Sequence, residues 1–345
     1  MQATAQPLAN RISQTRVAAD VSRRIIVTPK LAPADVGGYA LAESLAAAGA
    51  SSLSRAAFTE KTWLAVYADL FKARLTCLVL LTAAVGFYVG FRGPVDYWLL
   101  ANLLIGTALV AGGAAALNQL LEREHDARMR RTQDRPLPSG RLQPQTVLLI
   151  GSVAAVLGLL YLAQAVNLAT SLVGALSLFC YLFIYTPLKR ATWLNTVVGA
   201  VPGALPPLMG WTAARGELSG EGLALFAIQA CWQLPHFMAI AWIYREEYAR
   251  AGFQMLPVLD PRGHRTARVA LGFTFALLLA SLWPFLRGLT GPIYLWTALV
   301  LGLGFAWSAL QFSRQLTLPR AWQLFYASLL YLPLLLAAMV LDKLK

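Results

Sequence analysis

Asn118, Glu122 and Asp126 recur every four residues along one stretch of the chain. In a helix each such step advances about 40° around the axis, so the three would share a face. An amide carbonyl and two carboxylates are hard oxygen ligands, the kind that suits Mg²⁺. Mg²⁺ commonly joins one or two protein carboxylates to substrate phosphates. Arg131 and Arg135 follow, again four apart, and guanidinium forks match phosphate oxygens. Pro136 and Pro138 then end the helix. Acids followed by arginines is the donor set that a Mg²⁺–diphosphate site requires. The competing interpretation is a solvated helix end, whose i,i+4 pairs contribute only about 0.3–0.5 kcal/mol each.

Two more stretches carry candidate groups. Lys189 and Arg190 are adjacent basic residues, and Asn195 follows closely. Gly199, Pro202, Gly203, Pro206 and Pro207 crowd the next two turns, which predicts a kinked or broken helix with close backbone approach. His236 lies behind Pro235 inside an apolar block. An ionisable group in such a block is a functional candidate by default, against a neutral core histidine bonded to a neighbouring helix. The same block runs into Glu246, Glu247, Tyr248 and Arg250. Of these, Glu247 is the candidate further metal ligand.

The elements that must hold these groups follow from composition. The 345-residue chain is 58% hydrophobic and only 13% charged, where a soluble domain carries about 25%. Its mean hydropathy is +0.57. The apolar residues form blocks long enough to cross a bilayer as helices, without the alternation of barrel strands. Nine spans are predicted, near 75–91, 97–117, 145–163, 168–186, 194–213, 222–243, 270–287, 292–312 and 322–341. The fold expected is therefore all-α and polytopic. A net charge of +13 would suggest nucleic acid in a soluble protein. Here the basic residues fall in alternate connections, fifteen against the three at Arg92, Arg215 and Arg287. That is the positive-inside pattern of a membrane protein with its N-terminus in the cytoplasm, and it leaves no role for nucleic acid. Residues 1–60 are rich in Ala, Ser and Arg and lack a long apolar run, so they read as a disordered tail preceding a membrane domain over 61–345. A mitochondrial transit peptide is the other composition-based reading. Residues 61–74 look like an amphipathic lead-in anchored by Trp63 and Tyr67. Cys77, Cys180 and Cys231 all fall in predicted spans, match no metal motif, and are assigned to packing.

With these residues in view, the first stretch resembles the Asn-xxx-Asp/Glu-xxx-Asp motif of the UbiA superfamily of intramembrane prenyltransferases. Its continuation through Met129, Arg131, Thr132, Arg135, Pro136 and Leu137 is similar to the heme O synthases, the protoheme IX farnesyltransferase family within it. Tyr185-Thr186-Pro187-Leu188-Lys189-Arg190, Leu234-Pro235-His236-Phe237 and Met255-Leu256-Pro257-Val258 fit the same pattern. The resemblance covers roughly 70–340. Glu122 departs from the usual Asp with a longer reach, and Glu247 stands where Asp is expected before Tyr248.

The resemblance implies nine helices around a central cavity and a Mg²⁺-dependent transfer. A farnesyl group would pass from farnesyl diphosphate to the 2-vinyl group of heme B, a substrate rather than a cofactor. Water would add, giving a hydroxyethylfarnesyl side chain. Asn118, Glu122 and Asp126 would hold Mg²⁺. Arg131, Arg135 and Lys189, with Arg190 and Asn195, would bind the diphosphate. His236 would act on the heme, as iron ligand or proton carrier, and Tyr185 and Trp232 would face the allylic cation. The inner (plasma) membrane, or the mitochondrial inner membrane, is the implied site. A heme A-forming enzyme or a terminal oxidase is the implied downstream partner. A prenyltransferase acting on a quinone precursor or a chlorin is one rival. A transporter binding an anionic ligand without reacting it is the other, and the paired acids and bases on one membrane side argue against it.

Overall fold

The computed structural model describes residues 61–344, so the expected tail over 1–60 lies outside the described residues. A short helix, α1 (Trp63–Leu70), leads into α2 (Ala73–Gly90) and α3 (Tyr97–Asp126). Then come α4 (Pro144–Ala165), α5 (Leu168–Phe179), a π-helical segment (Cys180–Tyr185) and α6 (Thr186–Ala191). The second half holds α7 (Asn195–Arg215), α8 (Gly220–Ile243), the short α9 (Arg245–Arg250) and α10 (Leu256–Leu259). It ends with α11 (His264–Leu286), α12 (Pro292–Arg314) and α13 (Leu318–Leu341). Nine stretches among the described residues are long and apolar enough to cross a membrane, with α5 through α6 counting as one. The protein is a multi-pass, all-helical membrane protein. Among the described residues the only β feature is an isolated bridge between Thr290 and Lys343.

The expected spans match these helices closely, and the differences have local causes. The seventh starts at His264 rather than near 270 because Asp260 caps it. One Asp260 carboxylate oxygen accepts from Arg265 N at 2.7 Å and Thr266 N at 2.9 Å. Such a cap satisfies orphan donors at a helix start.

Consecutive helices pack as neighbours, α2 also packs on α7, and α13 on both α8 and α2, so the order of neighbours closes on itself. The predicted break in the proline-rich span is not there: α7 runs as one helix from 195 to 215. Pro206 removes the donor that would bond the Pro202 carbonyl, and the Ser177 hydroxyl of α5 donates to it instead at 3.0 Å. The predicted close approach is there. A Cβ on Gly86 would overlap the Pro207 carbonyl, and one on Gly210 the Ala83 carbonyl. The irregular backbone lies one span earlier, in the Cys180–Tyr185 π segment. Single π turns cluster at functional sites.

Candidate active site at the charged end of the bundle

α3 outruns the other helices because nothing in 118–126 breaks it, and it stays helical through Asp126. Asn118, Glu122 and Asp126 therefore do share a face, and they are 0%, 3% and 0% exposed. This excludes the solvated-end interpretation for these three. Arg131 and Arg135 do not continue the helix, contrary to expectation. The chain turns after Asp126 because the Thr132 hydroxyl donates to the Asp126 carbonyl at 2.8 Å and Met129 buries itself beside Tyr248 and Phe253.

The turns separate the two arginines. Arg135 folds back, and its Nη1 donates to Asp126 Oδ2 at 2.7 Å. Arg131 goes the other way, bonding the Tyr248 hydroxyl at 3.1 Å with its guanidinium over the Tyr244 and Tyr248 rings. The turn region is tied to α1 by Asp134, which takes Lys61 and Arg141, each at 2.7 Å. Burial works against the charges, but the mutual hydrogen bonds outweigh it. They hold the Asp134 carboxyl below its ordinary value and Lys61 above its own.

Lys189 reaches the α3 face from α6. Its Nζ donates to Glu122 Oε1 at 2.7 Å and lies 4.5 Å from the Tyr185 ring centroid. The π segment aids this placement, because its wider turn presents Tyr181, Tyr185 and Thr186 towards α3. The Thr186 hydroxyl spends its proton on the Tyr181 carbonyl, so it accepts from Asn118 Nδ2 at 3.0 Å. That fixes the amide with Oδ1 turned the other way.

What Oδ1 meets was not anticipated from sequence. Lys72 Nζ donates to it at 2.8 Å, and to the Tyr181 hydroxyl at 3.2 Å. Lys72 is the only non-glycine residue at positive φ among the described residues (φ 48). Gln119, next to Asn118, braces the junction by donating to the Asp69 and Leu70 carbonyls at 2.9 and 2.8 Å. Burial, then the Arg135 and Lys189 charges, push Lys72 down to about 7 against the pull of Glu122 and Asp126. A basic residue at the head of a span, on the side of the other basic loops, was the available signal. Its backbone conformation left none.

Other expected residues sit apart. Arg190 is exposed, with its Nη2 on the Leu121 carbonyl at 2.9 Å. Asn195 is buried, and its amide donates to the Thr192 and Gln254 carbonyls at 2.6 and 3.0 Å. It braces the α6–α7 turn against the loop before α10, and its amide donors are spent there rather than on an anion. Glu247 is half-buried in α9 and does not join Glu122 and Asp126 in a cluster of three acids.

The donor set fits a hard divalent cation completed by substrate oxygens. It offers two carboxylates and one amide oxygen on a single buried face. Asp126 Oδ1 is buried there without a hydrogen-bond partner, an orphan acceptor of the kind a cation satisfies.

His236 lies in α8, seven residues before its end at Ile243. Its Nδ1 is 2.7 Å from Ser328 Oγ of α13. Ser328 donates its only hydroxyl proton to the Phe325 carbonyl at 2.5 Å. It must therefore accept from His236, which places the imidazole proton on Nδ1 and leaves Nε2 with its lone pair. Trp232 and Phe325 stack on the ring at 4.9 and 5.1 Å between centroids, and Phe237 meets it edge-on. Nε2 has no protein hydrogen bond among the described residues.

A buried acid–amide face ringed by cations, at one end of a helical membrane bundle, suits a divalent ion held against an anionic substrate. The UbiA prenyltransferase family matches residues 79–333, and the chain belongs to that family. Its relatives include a protoheme IX farnesyltransferase of Solibacter usitatus, 46% identical over 286 residues, which cover 80% of this chain and 98% of that protein. The mitochondrial protoheme IX farnesyltransferase of Arabidopsis thaliana is 37% identical over 278 residues, 80% of this chain and 64% of that one. The fold resembles a digeranylgeranylglyceryl phosphate synthase, with a TM-score of 0.70 at 14% identity over 81% of this chain and 98% of that chain. It also resembles a UbiA homolog from Archaeoglobus fulgidus bound to GPP and Mg²⁺, with a TM-score of 0.56 at 18% identity over 79% of this chain and 99% of that chain.

Proposed function

We propose that the protein transfers a farnesyl group from farnesyl diphosphate to the 2-vinyl group of heme B, giving heme O and diphosphate. The observation that carries this is the buried Asn118–Glu122–Asp126 face with Arg135, Lys189 and Lys72 upon it. The acceptor assignment is supported by the relatives named protoheme IX farnesyltransferase.

Ionisation of the allylic C–O bond leaves negative charge on the diphosphate. Asn118, Glu122 and Asp126 would hold Mg²⁺, which supplies Lewis-acid neutralisation of that charge. Arg135 and Lys189 stand ready to donate to the same oxygens, with Arg131 and Arg190 further out. Glu247 is assigned to a second ion, and its substitution by Gln should remove only the weaker phase of a Mg²⁺ titration of the rate. The Tyr185 ring, already against Lys189, would face the allylic cation. A carbon–carbon bond then forms at the vinyl terminus, water captures the resulting cation, and its proton leaves to solvent. His236 Nε2, open and unprotonated, suits axial ligation of the heme iron. The fifteen-to-three distribution of basic residues supports a cytoplasmic charged end, with a cell inner membrane as the setting.

The test is to incubate the purified protein with heme B, farnesyl diphosphate and Mg²⁺ and to analyse the hemes by mass spectrometry. Hydroxyethylfarnesyl heme is the expected product. Unchanged heme B, with prenylation of an added quinone precursor, would overturn the assignment.

A further inference from the structure

Each predicted metal ligand on α3 is held by its own cation. Lys72 sits on Asn118 Oδ1 at 2.8 Å, Lys189 on Glu122 Oε1 at 2.7 Å, and Arg135 on Asp126 Oδ2 at 2.7 Å. We propose that these three cations are place-holders for the metal, which exchange their oxygen ligands for phosphate oxygens, so that divalent metal and diphosphate bind interdependently. This rests on the reading that a diphosphate binds here.

Three observations support the exchange. The first is charge. When Lys72 carries its proton, two carboxylates face three cations, an excess of one positive charge in a buried site. A divalent metal alone raises the excess to three, and a trianionic diphosphate alone turns it into a deficit of two. The two together bring it to zero. Uncompensated charge in a desolvated site is strongly disfavoured, so each ligand creates the condition for the other.

The second is the incomplete fit of the present pairs. Asp126 takes Arg135 through one oxygen only and leaves Oδ1 buried without a partner. A guanidinium can satisfy both carboxylate oxygens, so this pair is not the best the two groups can make. A metal on Asp126, with Arg135 released to phosphate, removes the orphan.

The third is the backbone at Lys72. A side chain with a Cβ disfavours the left-handed region. Such strain persists where the surroundings over-determine it, and it collects at functional sites. Gln119 holds the carbonyls of Asp69 and Leu70, and Thr76 Oγ1 holds that of Phe71 at 2.8 Å. These three carbonyls pin the chain before Lys72, and the Thr76 N–H on the Lys72 carbonyl at 3.0 Å pins it after, so that the ammonium reaches Asn118. The backbone stays fixed while the flexible side chain changes partner.

The experiment uses the full chain in nanodiscs. Mn²⁺ binding is read from the electron paramagnetic resonance of free Mn²⁺. Inorganic pyrophosphate binding is read by calorimetry in chelator. Mixed titrations are corrected by protein-free Mn²⁺–pyrophosphate controls. In the wild type each ligand should tighten the other by about tenfold or more. Lys72→Met should bind Mn²⁺ alone about fivefold tighter and pyrophosphate alone about fivefold weaker. Lys189→Met should move both affinities in the same senses. Lys72→Gly suits the left-handed backbone and repeats the test without strain. A merely structural role would weaken both affinities together. Unchanged or weakened Mn²⁺ binding in these variants overturns the exchange. Pyrophosphate binding that ignores Mn²⁺ in the wild type also overturns it while leaving the diphosphate reading intact. No pyrophosphate binding at all sinks both.

Discussion

At the charged end of α3 each of the three candidate ligands already has a cation on one of its oxygens. At His236 the nitrogen left for chemistry has no hydrogen-bond partner among the described residues, and the other is fixed by Ser328. The first region stores opposed charges that must rearrange around a ligand. The second is set in advance, in one tautomer, between aromatic faces. The difference matches the ligands proposed. A diphosphate and a divalent ion bring large charges whose solvation must be replaced, so the protein supplies opposite charges that neutralise one another until then. A flat macrocycle brings its charge on two propionates at one edge and an apolar face elsewhere, and against that face a wall of rings with one lone pair is enough.

The largest expected effect comes from damaging the first region alone. Asp126→Asn should lower the initial rate of farnesyl transfer by about 10²–10³-fold, the usual cost of one charge-stabilising group. Heme binding, followed by the Soret band, should be unchanged; a parallel loss would mean the two regions are not separate. His236→Ala is the reciprocal variant. Its heme affinity should fall about 100-fold with loss of the imidazole-ligated spectrum, while pyrophosphate binding stays at the wild-type level. A normal spectrum in this variant removes His236 as iron ligand. Ser328→Ala should cost about tenfold in heme affinity, and Ser328→Thr, which keeps the hydroxyl, should restore most of it. If both variants bind alike, Ser328 only packs.

The smallest effect concerns the Lys61–Asp134–Arg141 tie beside the first region. Asp134 is depressed in the folded protein, so its stabilisation is present above its ordinary value of 3.8 and fades as pH falls through the folded value. Lys61 is raised, so its share is present below 10.5 and fades only as pH rises through its higher folded value. These groups are only partly buried, and solvent screening limits the tie to about 0.5–1 kcal/mol. The melting temperature of Asp134→Asn should therefore lie slightly below wild type near neutrality and converge with it in acid. A gap that widens in acid contradicts the assignment.

Much of this was legible beforehand, and the exceptions have physical causes. Apolar blocks are set by bilayer thickness, so the spans were close to their final bounds. Asn118, Glu122 and Asp126 were legible because a regular helix converts spacing directly into a shared face. Arg135 comes beside the α3 face by a turn rather than by the helix expected for it. The same turn carries Arg131 to Tyr248, further out. Of the kink or break expected over Gly199–Pro207, the break is absent because a neighbour's hydroxyl, Ser177, can replace a missing donor. Thr186 and Ser328 were invisible as site residues, and Lys72 showed only its charge and place in the chain, because their roles depend on partners between 46 and 92 positions away.

The π segment at Cys180–Tyr185 has a consequence for the length of its span. Crossing the bilayer tolerates a residue more or less, because a helix can tilt. Angular phase does not, since in a regular α-helix one residue turns everything beyond it by about 100°. A π turn takes up one residue more than an α turn, so this segment absorbs an extra residue while Lys189 still meets Glu122 and Thr186 still meets Asn118. The winding of this helix is thus governed by a rotational setting at one end rather than by membrane thickness.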